Sequence, residues 1–82
     1  MIPDLSSSQV VVGFKQLRKA LRDGRAKCVF LAKNADPGMT APIAQLCKES
    51  SVQIKWCSSM ADLGKACGID VGASAAAVLK EI

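Results

Sequence analysis

Apolar positions recur along the chain with a spacing of about two in some stretches and about 3.6 in others, so strands and helices are expected in turn. Val10, Val11 and Val12 form a short β-branched run that reads as a strand, and Gly13 ends it. Residues 14–23 read as a helix closed by Gly24, a position where glycine accepts the left-handed conformation. Residues 27–33 are mostly apolar and read as a central strand buried on both faces. A turn-rich stretch, Asn34-Ala35-Asp36-Pro37-Gly38, leads to a helix expected to begin near residues 40–42, with Pro42 in its first turn. Its apolar side is Ile43, Leu46 and Cys47, and it should end around residues 49–51. Residues 52–57 alternate, with Val52, Ile54 and Trp56 on one face and Gln53 and Lys55 on the other, as in a half-exposed strand. Ser59 with Asp62 resembles a capping box opening a helix whose inward side is Met60, Leu63 and Cys67 and which stops at Gly68. A last strand is expected over residues 74–79, and Asp4 could cap a short turn near the start. Strands alternating with helices predict an α/β fold with helices on both faces of a sheet, as one domain over residues 1–82.

Two stretches do more than build a core. On the first helix, Phe14, Leu17 and Leu21 make an apolar stripe, while Lys15, Arg18, Lys19 and Arg22 make a second stripe of cations alone. Like charges at these spacings repel by a few tenths of a kcal/mol per pair, and Asp23 is the one acid nearby, so the stripe points to an external anion. Gly13, at the entry to the helix, would let an anion approach the free first-turn amides at the positive end of the dipole. The second stretch is the loop after Gly68. Ordinary loops are polar, yet this one places Ile69 and Val71 between two glycines. It must either tuck under the fold or press on a partner.

Composition narrows the chemistry. Half the residues are hydrophobic and the net charge is +4, a balance that favours nucleic acid, a membrane surface or an acidic protein as partner. No apolar run approaches the ~20 residues needed to cross a bilayer. The opening residues have neither the charged nor the apolar region of a signal peptide. Cys28, Cys47, Cys57 and Cys67 include no C-x-x-C pair and the chain has no histidine, which argues against a zinc site. They read as reduced, mostly buried thiols of a cytoplasmic protein. The best candidate for a catalytic thiol is Cys67 beside Lys65, but no base partner is evident. Phe14, Phe30 and Trp56 are the only aromatics and each is expected in the core, too few exposed faces for a single-strand binder that stacks bases. No phosphate-binding glycine motif is present, and no metal or cofactor is expected. A protein–protein adaptor using the apolar loop is the alternative to an anion-binding module, although it leaves the cationic stripe idle.

Three segments together carry a resemblance: GFKQLRKAL from Gly13, AKNADP from Ala32, and LGKACGIDVGASAAA from Leu63. They resemble the kink-turn RNA-binding ribosomal protein family, of the large-subunit seven-Ae and thirty-e type, in its short bacterial form. The resemblance covers about residues 5–80, and its most specific part is the Leu-Gly-x-Ala-x-Gly-Ile spacing. It implies a three-layer α-β-α sandwich around a four-stranded mixed sheet, no enzymatic activity, and a partner RNA containing a kink-turn, a helix bent at a bulge beside tandem sheared G·A pairs. The protein would be a cytoplasmic monomer, and the ribosome is one place where it would meet such RNA. By position, the family's polar pair becomes Lys15 and Gln16 and its following lysine is Lys19. Archaeal and eukaryotic members often carry Asn-Glu at that pair. Gln16 and Lys19 would donate to guanine edges. Amides near Gly13 and the side chains of Arg18, Arg22 and Lys33 would hold phosphates. Ile69, Asp70, Val71, Gly72 and Ala73 would form the loop that packs on the extruded bulge nucleotide; some members carry arginine or proline there.

Overall fold

The computed structural model describes residues 9–69 and 71–80. Seven elements follow in order: β1 (Val10–Val12), α1 (Phe14–Arg22), β2 (Ala26–Ala32), α2 (Pro37–Glu49), β3 (Gln53–Cys57), α3 (Met60–Ala66) and β4 (Ala75–Leu79). The strands form one sheet in the order β1-β4-β2-β3. β4 is antiparallel to both β1 and β2, and β2 is parallel to β3, so the sheet is mixed. A parallel pair needs a crossover, and α2 supplies it. The turn expected to be capped by Asp4 lies outside the described residues.

The two faces of the sheet carry separate cores. On one, Leu17, Leu21, Val29, Leu31, Ile43 and Cys47 join α1 and α2 to the strands. On the other, Leu63 of α3 packs with Phe30, Ala32, Cys57, Ala73 and Ala76. This is the α-β-α sandwich that the alternating pattern and the resemblance imply. β4 lies inside the sheet, and Ala75, Ala76 and Ala77 are all fully buried. Its small side chains let the helix layers come close on either side.

Helix α2 starts earlier than the periodicity predicts. The Asp36 carboxylate accepts from the Gly38 amide at 2.8 Å, and Pro37 occupies the first helical position. Asp-Pro thus acts as cap and first residue, where proline loses no helical bond, and Pro42 falls inside the helix rather than in its first turn. Trp56 is a second correction. It is 47% exposed, not a core residue, whereas Cys57, next along the strand and on the opposite face, is buried with Leu63 of α3. Phe30 is buried and Phe14 packs against the core as expected.

Helix α3 and the loop behind it are locked together. The Ser59 hydroxyl accepts from the Asp62 amide at 3.1 Å, one half of the expected box. The amide of Met60 instead donates to the Asn34 side-chain oxygen at 2.8 Å, so the turn after β2 caps the start of α3. The Met60 carbonyl accepts from the Ala73 amide at 2.9 Å, and the Met60 sulfur lies 3.3 Å from the Ser74 hydroxyl. Glycine makes this packing possible. A Cβ on Gly64 would run into the Val71 carbonyl oxygen and reach the Gly72 Cα at 3.0 Å. One on Gly72 would sit 3.2 Å from the Met60 Cβ.

Gly64→Ala therefore reverses the usual rule. Alanine in a helix interior ordinarily gains up to ~1 kcal/mol over glycine, but here the new methyl meets backbone, and a net loss of about 1–3 kcal/mol is expected in urea titration. Asn34→Ala removes the remote cap on α3 and should lower stability by ~1 kcal/mol in the same measurement.

Candidate nucleic-acid interface

β1, β2 and β3 all run in one direction and β4 runs against them. One end of the sheet therefore gathers the exit of β1 into α1, the turn after β2, the entry to α3 and the loop entering β4. Hydrogen bonds tie these pieces side by side. The Gly13 amide donates to the Ala75 carbonyl at 3.0 Å, and the Ala32 amide to the Ser74 carbonyl at 3.0 Å. The Lys33 amide donates to the Cys57 carbonyl at 2.9 Å. The start of the cationic helix and the end of the apolar loop are thereby brought to one rim.

Gly13 is the N-cap of α1, with φ 100° and ψ 154°. A Cβ there would meet open space, so the positive φ alone is what calls for glycine. It brings no capping side chain, and α1 has no acidic residue in its first turn. Nothing from a cap competes for the first-turn amides at the positive end of the helix. Lys15, Gln16, Arg18, Lys19 and Arg22 are all exposed, opposite the buried Leu17, Ala20 and Leu21. Lys19 and Arg22 lie in the last turn, where helix carbonyls favour cations and offset part of their mutual repulsion. These five residues, together with Asp23 and Met39, line a groove of about 670 Å³. Lys33 is exposed beyond the end of β2 and does not line the groove.

In the loop, Val71 is 70% exposed and Ile69 is 36% exposed, so both point outward although the backbone beneath them is held against α3. Gly72 is exposed as well. Ala73 is buried, and its amide is committed to the Met60 carbonyl, so it anchors the loop. Asp70 lies outside the described residues. Two features of this rim escape a reading of the sequence. Asn34 looks like an ordinary turn residue, and Met39 falls just before the expected start of α2, so neither its helical position nor its place beside α1 is evident. The Asp-Pro pair is the one local signal that could have moved that start.

The four thiols do not make a reactive centre. Cys47 and Cys57 are buried, Cys28 and Cys67 are half-buried, and all four are free. Burial pushes each thiol above its ordinary value, Cys47 to about 11, the reverse of what a nucleophile at neutral pH needs. Among the described residues, no helix is long and apolar enough to cross a membrane, and no group of three or more cysteine or acidic side chains could hold a metal ion.

Comparison with known proteins identifies the family. Residues 4–81 match the model of the ribosomal protein L7Ae/L30e/S12e/Gadd45 family. A protein of Bacillus pumilus named RNA-binding protein is 44% identical over 73 residues, 89% of each chain. The RNA-binding protein YbxF of Geobacillus stearothermophilus is 38% identical over 76 residues, 93% of each chain. Among solved structures, the Giardia lamblia 15.5kD RNA binding protein superposes with a TM-score of 0.83 at 25% identity. That match covers 92% of this chain and 62% of the other, so the chain spans less than two thirds of that protein's length. A family model covering nearly every residue and curated relatives matched along most of their length agree, and the chain belongs to the ribosomal protein L7Ae/L30e/S12e/Gadd45 family, which is not a family of enzymes.

Proposed function

We propose that this protein binds RNA and that its target is the kink-turn. The single observation behind this reading is the shared rim: the Gly13–Ala75 hydrogen bond puts the uncapped end of a cationic helix beside the base of an exposed apolar loop. Its relatives' names, and membership of their family, favour RNA over the other anions.

A regular RNA helix hides its base edges in a deep, narrow groove. A kink opens that groove, and the first turns of α1 can then enter it. Gln16 and Lys19 donate to guanine O6 and N7. Lys15, Arg18, Arg22, Lys33 and the amides after Gly13 take phosphates, which set position without reading sequence. Ile69 and Val71 pack on the extruded bulge nucleotide and on base faces. The bound protein favours the bent RNA because these contacts exist only in that state. It acts as a monomer in the cytoplasm, on ribosomal RNA or another structured RNA.

Calorimetry against a kink-turn, and against the same helix with Watson–Crick pairs in place of its G·A pairs, tests this. Strong preference for the kinked RNA is expected, and equal affinity would refute the reading. Lys19→Ala should cost ~1–3 kcal/mol on the kinked RNA and little on the straight one if it reads a base edge. Val71→Asp should weaken binding while leaving the melting temperature unchanged, since the side chain it replaces is mostly in water; a variant that melts early would make the loop part of the core.

A further inference from the structure

The groove along α1 reaches further than the rim. Its wall runs from Lys15 to Asp23, nine residues whose eight steps span about 12 Å of helix at 1.5 Å each. Four cations line it, so its field suits a phosphate strand. Two lining residues do not suit phosphate. Met39, from the first turn of α2, is 44% exposed and is the one apolar residue in the lining. Asp23, the C-cap of α1, is exposed and brings a carboxylate, which repels phosphate and only accepts hydrogen bonds.

We propose that this groove holds a ribose–phosphate strand of the bound RNA, with Met39 packed on a sugar and Asp23 accepting a hydrogen bond from a 2′-hydroxyl. The inference rests on the reading that the cationic face of α1 binds RNA, and it adds a means of telling RNA from DNA. A strand lying in the groove alternates phosphate with sugar. Lys15, Arg18 and Arg22 meet the phosphates, and Lys19 between them keeps its guanine edge. The thioether of Met39 is flexible and polarisable and fits the C–H face of a ribose. The 2′-hydroxyl is the one sugar donor that DNA lacks, and a carboxylate is the acceptor for it. Neither contact belongs to the base-reading pair, Gln16 and Lys19.

The test uses the full chain and a kink-turn RNA whose stem nucleotides on either side of the kink are replaced one at a time by 2′-deoxy nucleotides. Wild-type protein should lose about three- to tenfold in affinity at one position, and Asp23→Ala should bind the ribo and deoxy forms of that position alike. Met39→Ala should weaken binding about three- to tenfold, and Met39→Leu should restore most of the loss. Both side chains are exposed, and unchanged melting temperatures separate these effects from folding. The inference is overturned if no deoxy position matters to the wild type, if Asp23→Ala keeps the deoxy penalty, or if Met39→Ala binds as well as wild type. Any of these results, obtained while the wild type still prefers kinked over straight RNA, removes the groove and leaves the proposed function standing. If wild type instead binds both RNAs equally, the kink-turn reading fails, and the same ribo-to-deoxy comparison on the straight RNA decides the groove separately.

Discussion

The close approach of the loop before β4 to helix α3 is the constraint on which the rim depends. The Met60 carbonyl holds it by accepting from the Ala73 amide, while the Met60 amide donates to Asn34 and fixes the start of α3. Gly64 and Gly72 provide the missing side chains that let backbone lie on backbone there. Without that contact the loop would swing free, and ordering it on a partner would cost conformational entropy at each encounter. With it, the exposed Val71 stands on a rigid base. An apolar side chain held in water by a fixed backbone is prepared for a contact that the fold itself does not make.

The electrostatic half of the rim is arranged differently. α1 commits Leu17, Ala20 and Leu21 to the core and leaves its opposite side wholly polar. Its two ends then differ in kind. At the start, a glycine cap leaves the positive end of the helix without a side chain over it. At the end, Lys19 and Arg22 sit where the helix carbonyls welcome positive charge. Part of the cationic stripe is thus compatible with helix stability alone, and the inference of an anionic partner rests more firmly on the groove that collects these cations than on their mutual repulsion.

Most of the architecture was legible because the helices and strands here follow local rules. The apolar stripe of α1, the buried run of β2, the Ser59 cap and the glycine stop after α3 each depend on a few neighbouring residues, and each appears near its expected place. The start of α2 departs from its expected place because Asn34-Ala35-Asp36-Pro37-Gly38 has the composition of a turn throughout, while Asp36 and Pro37 begin a helix. Trp56 departs from the core position expected of it because an alternating pattern reports which face a residue takes, not whether a helix covers it there.

What the sequence determined by itself is the material of the site: a helix with a purely cationic face, a glycine before it, and an apolar loop between glycines. These follow from spacing along a single element, which side-chain periodicity records directly. Only the tertiary structure decided that they share one end of the sheet, since that follows from β4 entering between β1 and β2 against their direction. It also decided that Asn34 reaches across 26 residues to cap α3 and that Met39 faces the groove of α1. Strand order and helix-to-helix contact arise from long-range packing, and no local pattern of residues encodes them.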